Sequence, residues 1–230
     1  PALLSPGVLQ TGETKLFIDP PLLNFENLIL GKRFTINIMV ANVTNLKGYA
    51  LKLSFNTTML DVVGIAFLPE SNLPVGNFNA NDTTGIITMS ANYEGSAITT
   101  NSPLSLASIT FKMMNRGQGA LHLYDTSLLD SSGNPITHST EDGMVLILRH
   151  DVAVISVTSS TSETYIGRTV TVNVTVANDG DVAESFTVNV YHNDTVFGTF
   201  NMTNLAAGEN ATITFIWDTS DVAAGSSSTI

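Results

Sequence analysis

The chain has 230 residues, of which 43% are hydrophobic and 13% charged, with a net charge of −11 and no cysteine. That hydrophobic fraction excludes wholesale disorder, the acid excess repels phosphate backbones and anionic membranes, and thiol or disulfide chemistry is impossible. The length accommodates one large or two ordinary domains, and no apolar run approaches the roughly 18 residues that span a bilayer.

Residues 1–13 read as a tail, in which Pro1, Pro6, Gly7 and Gly12 interrupt Leu3, Leu4, Val8 and Leu9. No leader is visible at Pro1, which fits a processed or a cytosolic chain alike; the processed reading is the one expected here. From Thr14 short strands follow one another. Lys15–Ile18 stops at Pro20-Pro21; in Phe34–Val40 the residues Phe34, Ile36, Ile38 and Val40 alternate with their neighbours; in Tyr49–Phe55 the residues Leu51, Leu53 and Phe55 do the same. Met59–Phe67 is a denser apolar run, and Ile86–Tyr93, Leu106–Met113, Ala120–Leu129 and Met144–Leu148 complete the set. Period two predicts half-buried strands, and no stretch sustains a 3.6-residue period.

At Arg149-His150-Asp151 the chain restarts. All eight prolines lie at or before Pro135, so the composition changes across the same boundary. Asp151–Val157, Thr169–Ala177, Ser185–Tyr191, Val196–Met202 and Ala211–Trp217 are predicted strands. The clearest is Thr169–Ala177, where Val170, Val172, Val174 and Val176 alternate with Thr171, Asn173 and Thr175 before an Asn178-Asp179-Gly180 turn. Trp217 shares parity with Ile213 and Phe215, which places it in the core. Many short strands punctuated by Gly, Pro and Asn mean an all-β sandwich or jelly roll.

Seven Asn-X-Thr triplets, at Asn42, Asn56, Asn81, Asn173, Asn193, Asn201 and Asn210, are candidate glycosylation acceptors and point to an extracellular chain. Asn173 lies on the wet face of its strand. Asn42 shares parity with Ile36, Ile38 and Val40, so a structural role at a strand end competes with a glycan there. The others sit at or beside turns, where an unmodified Asn is also at home.

Catalytic and metal-binding patterns are not found. His122, His138, His150 and His192 are scattered and none has HExxH spacing. There is no Gly-X-Ser-X-Gly elbow, and Gly117-Gln118-Gly119 has no third glycine at position 122. Asp130-Ser131-Ser132-Gly133-Asn134 alternates oxygen donors as calcium loops do, but it lacks a closing Glu and runs into Pro135, which favours a hairpin turn. Asp179-Gly180-Asp181 reads the same way. Neither a cofactor nor a metal is expected.

The second half closely resembles the CARDB family, the cell-adhesion-related domains of prokaryotic surface proteins. The resemblance is carried by the opening Asp151-Val152-Ala153-Val154, by Gly167, by Asn178-Asp179-Gly180, and by Leu205-Ala206-Ala207-Gly208-Glu209 ahead of Thr212–Trp217. It implies an immunoglobulin-like sandwich serving as a spacer or adhesion module. The first half resembles the cohesin domains of archaeal secreted proteins in Gly31–Tyr49, Leu51–Leu60, Leu106–Phe111 and Leu123–Gly143. This implies a jelly-roll sandwich that holds a partner module non-covalently; no duplicated calcium loop of the dockerin kind occurs in the sequence.

The expected organisation is a tail at 1–13, a cohesin-like sandwich at 14–149 and a CARDB-like immunoglobulin-fold domain at 150–230, incomplete at its C-terminus. The cohesin resemblance implies that one sheet faces the partner, and strand parity puts Lys52, Ser54, Thr88, Ser90, Asn92, His122 and Tyr124 outward on it. The expected function is non-catalytic: an extracellular structural or adhesive protein of a surface layer, filament or adhesin, assembling with copies of itself or other surface proteins. Alternatives are a scaffold that captures a partner module, or accessory domains of a larger secreted hydrolase. Only five strands are legible after residue 150, where such a sandwich needs about seven. An added strand is therefore expected, from chain beyond Ile230 or from a neighbour's Ala2–Gln10.

Overall fold

The computed structural model describes residues 12–26, 29–223 and 225. The chain divides into two compact units between Ile147 and Leu148. Both are built of strands, as the alternation predicts, and the described residues contain one short 3₁₀ turn, Glu70–Asn72.

The first unit contains β1 (Lys15–Asp19), β2 (Leu22–Phe25), β3 (Arg33–Ala41), β4 (Val43–Ser54), β5 (Leu60–Phe67) and β6 (Pro74–Asn81). It continues with β7 (Ile86–Tyr93), β8 (Ile98–Thr100), β9 (Leu104–Met113), β10 (Gly117–Asp130), β11 (Ser139–Glu141) and β12 (Gly143–Ile147). One sheet runs β11-β1-β3-β9-β5, and the other runs β2-β12-β10-β4-β7-β6 with β8 on β4. Pro20-Pro21 lets one extended segment serve both sheets. Before the prolines β1 pairs with β3 and β11, and after them β2 pairs parallel with β12. The alternating residues Ile36, Ile38 and Val40 face Leu51, Leu53, Ile87 and Met89 across the core, all buried.

The second unit contains β13 (Val152–Ser159), β14 (Thr169–Asn178), β15 (Glu184–His192), β16 (Thr195–Leu205) and β17 (Asn210–Asp218). Its sheets are β13-β14-β17 and β15-β16. Val170, Val172, Val174 and Val176 are buried against Val188, Val190, Leu205, Ile213 and Phe215. The opposite face of β14 is the polar one, where Thr214 donates to Asn173 Oδ1 and Thr175 bonds Thr212 across the ladder. Trp217 packs partly buried on this core, its ring 4.6 Å from that of His192. Ala2–Gln10 and residues 226–230, on which the added-strand expectation turns, lie outside the described residues.

Candidate protein-interaction surfaces

The outward face of β2-β12-β10-β4-β7-β6 carries the seven residues expected there. His122 sits opposite Ser54; Tyr124 opposite Lys52, which in turn faces Thr88; Ser90 lies beside Ala50; and Asn92 lies beside Gly48. Thr88, Ser90, Asn92 and His122 are exposed, while Lys52, Ser54 and Tyr124 are half-buried by their neighbours. A Cβ at Gly48 would lie 2.3 Å from Asn92 Oδ1, so a larger residue there would displace the exposed Asn92 side chain.

Two of these side chains, His122 and Lys52, flank Tyr124, and each is tied to an acid outside the set. The His122 ring stacks on the Tyr124 ring at 5.6 Å and 7°. Lys52 Nζ lies 5.8 Å from the centre of the same ring and bonds Asp125 at 2.9 Å, and His122 Nδ1 lies 2.7 Å from Asp142 Oδ2. The hydrogen bond to Asp125 holds the Lys52 ammonium above its usual pKa. Asp125 reaches it because the β10–β4 ladder slips between Tyr124 and Ser127, and Asp125 takes φ 48° at the bulge.

Beside this cluster lies apolar surface that strand reading along the sequence does not bring together. Leu22 pairs with Met144, and Met144 with Ala120 on the strand of His122. Leu22 is 54% exposed and Met144 43%. Met144 was recoverable, since its neighbours Gly143 and Val145 are the inward residues of β12. Leu22 was not, because its place depends on a parallel pairing across more than a hundred residues.

A second surface belongs to the second unit. Val154 and Val157 pair with the buried Val176 and Val174, so they lie on the core side of β13, yet they are 61% and 47% exposed. Among the described residues β15 pairs with β16 alone. Between β13 and β15 runs a cleft of about 280 Å³ lined by Val152, Val154, Val176, Phe186 and Val188. The β15 edge therefore presents ladder donors and acceptors beside an open apolar slot.

The polar turns bind themselves. Asp130 Oδ1 accepts the N–H groups of Ser132 and Asn134, and Gly133 N–H returns to the Asp130 carbonyl. These bonds, Asn134's backbone N–H foremost, hold the Asp130 carboxyl below its ordinary pKa. In the second unit the Arg149 guanidinium donates to the Asp179 carbonyl and lies 3.2 Å from Asp151 Oδ2, while Asp181 exchanges hydrogen bonds with the Arg149 backbone, so the Asp179-Gly180-Asp181 turn is tied to Arg149. His138 bonds Ile136 and Thr126, and His150 bonds Glu184. Among the described residues no group of three or more His, Asp or Glu could hold a metal ion, and no helix is long and apolar enough to cross a membrane.

A family model for the cohesin domain matches residues 29–147, more than half of the chain. The chain belongs to the cohesin family. A CARDB model matches residues 149–230, so a cohesin domain is followed by a CARDB domain. Cohesin and CARDB domains are non-catalytic interaction domains. Similar solved structures include a non-cellulosomal cohesin from the archaeon Archaeoglobus fulgidus, 17% identical, with a TM-score of 0.49 over 59% of this chain and 91% of that one. The second type II cohesin module of the ScaA scaffoldin of Acetivibrio cellulolyticus is 16% identical, with a TM-score of 0.47 over 60% and 91%. The cohesin–dockerin complex Coh-OlpC-Doc435 of Clostridium thermocellum gives 13% and 0.48 over 60% and 94%. Comparison with curated proteins gave no match.

Proposed function

We propose that this is a non-catalytic structural or adhesive protein of the cell exterior, whose cohesin domain binds another surface protein through the outward face of β2-β12-β10-β4-β7-β6. The observation that carries this reading is the juxtaposition of the Tyr124 cluster with exposed Leu22 and Met144. An aromatic and apolar centre with a charged rim is the composition of a protein contact face. Paired acids around a single tyrosine would also reward a partner that brings donors to the rim. The test is assembly on the cell surface and binding to the purified surface fraction by the parent chain, by Tyr124→Ala and Lys52→Glu, and by Met144→Asp. Both should fall by tenfold or more with unchanged thermal melting. Unchanged assembly and binding in all three variants would remove this face from consideration.

A specific observation favours a second contact, made by the CARDB domain. Its β15 edge and the adjoining cleft suit an added β-strand supplied by a second copy of the chain, since backbone pairing gives affinity and the slot takes alternate apolar side chains. Such contacts are heterologous and propagate into a fibre. Val154→Asp would then leave the isolated chain folded and abolish association in sedimentation experiments; association unaffected by it would exclude the cleft.

A further inference from the structure

The seven Asn-X-Thr triplets are alike in sequence and unlike in the fold. Asn56 and Asn81 occupy neighbouring turns at one end of the first unit's larger sheet. Ser54 and Asn81 both pair with Ile86, Phe55 N–H donates to the Gly85 carbonyl, and Gly85 N–H donates to the Asn81 carbonyl. Each asparagine closes a local turn through its side-chain oxygen. Asn56 Oδ1 accepts the Thr58 N–H at 3.0 Å and the Thr58 hydroxyl at 2.7 Å. Asn81 Oδ1 accepts the N–H groups of Thr83 and Thr84, each at 3.0 Å. A backbone N–H can be met only by the oxygen, so the orientation of both amides is determined and each Nδ2 is left on the far side. Both residues are exposed.

The other triplets lack this combination. Asn42 Nδ2 donates to the Glu13 carbonyl and sits where a Cβ on Gly12 would come within 2.7 Å of it, so the segment leading into β1 covers it. Asn173 is half-buried in the central strand of its sheet, tied to Thr214 and flanked by Thr158. The Asn201 oxygen is taken by Thr187 across the ladder. Asn193 and Asn210 are exposed, but among the described residues neither is seen bonded to the threonine of its own triplet, and Asn193 Nδ2 lies instead 3.4 Å from His192 Nε2.

We infer that Asn56 and Asn81 are acceptors for N-linked oligosaccharide, an assignment that rests on the cell-exterior reading. The donor class is a polyprenyl-phosphate- or diphosphate-linked oligosaccharide. The asparagine Nδ2 forms a bond to the anomeric carbon as the carbon–oxygen bond to phosphate breaks. The lipid phosphate leaves with the bonding pair, and the amide gives up one proton; nothing is oxidised or reduced. The sugar would project from the Ser54–Ile86 end of the sheet, into solvent.

The experiment is glycopeptide mass spectrometry on the chain isolated from its own cells, with protease shaving of intact cells in parallel. The expected result is a chain cleaved on intact cells, with sugar mass on the Asn56 and Asn81 peptides and none on the Asn42 peptide. Thr58→Ala should leave Asn56 bare and Asn81 modified, and Thr58→Ser should restore Asn56. A chain that is shaved from intact cells but bare at Asn56 and Asn81, or that carries sugar at Asn42 instead, overturns the assignment and leaves the cell-exterior reading standing. A chain protected in intact cells and bare throughout overturns both.

Discussion

Tyr49 and Tyr93 tie the two sheets of the first unit together, and alkaline pH should cut both ties. The Tyr49 hydroxyl, on β4, donates to the Leu106 carbonyl on β9 at 2.9 Å. The Tyr93 hydroxyl, on β7, donates to the Leu68 carbonyl just after β5 at 2.7 Å, and the two rings lie 6.3 Å apart. Burial removes both phenols from water and pushes their pKa values well above the usual range, and their mutual repulsion raises Tyr49 further. The folded state therefore keeps two protons that the unfolded chain gives up near pH 10. Their contribution is fully present below that pH and is lost as the pH climbs toward the folded values. Each phenol contributes a slope of about 1.4 kcal/mol per pH unit, so the pair removes about 5 kcal/mol between pH 10 and pH 12. That is about a third or more of the stability of an ordinary domain. Urea unfolding from pH 8 to 12, with phenolate absorbance followed in parallel, reads this directly. Tyr49 and Tyr93 should ionise only on unfolding. The Tyr49→Phe/Tyr93→Phe variant serves as the control for lysine titration. It should lose about 1 kcal/mol per hydrogen bond at pH 8, less at Tyr49, whose acceptor keeps the Leu68 N–H. Above pH 10 it should lose much less than the parent. Equal alkaline slopes in parent and variant, or ionisation of Tyr49 and Tyr93 in the still-folded chain, would refute the reasoning.

Asn178→Ala should destabilise the second unit by about 2–4 kcal/mol in urea unfolding. Its fully buried side chain donates to the Val182 and Leu205 carbonyls and accepts from Gly180 N–H, and alanine would leave all three unmet. Gly198→Ala should cost about 1–3 kcal/mol by overpacking, because the added Cβ would lie 2.4 Å from the buried Phe215 ring. Gly208→Ala meets no neighbouring atom, so any loss of melting temperature there would come from its φ of +77° alone.

The alternation along β3, β4, β7 and β14 made the all-β class and most of the core readable, because period two depends only on a strand having one dry face. Strands whose existence rests on distant partners were not readable. β2 is four residues beside Pro20-Pro21 and forms because Met144 to Ile147 lie alongside it. β6 carries Gly76 and three asparagines, an unpromising strand composition, and is held by eight consecutive pairs with β7. Gly76 has its own reason, since a Cβ there would strike the Phe67 ring at 2.6 Å.

Parity also says which side a residue faces, not whether anything covers that side. Val172 and Val154 obey the same rule on adjacent strands of one sheet. Val172 is buried because β15 and β16 lie over β14, while Val154 is open because their cover stops short of β13. The same limit applies to the outward face of the first unit. A wet sheet face and a contact face both show polar outward rows, and Lys52, Ser54 and Thr88 would read alike in either. What separates them is assembled in space. The bulge at Asp125 turns an acid onto Lys52, His122 stacks on Tyr124 two residues away, and β2 sets Leu22 against Met144. The first and the last of these need a register or a pairing partner that local sequence does not encode. The residues of the face were therefore legible one at a time, but their concentration around Tyr124 becomes visible only once the sheet is formed.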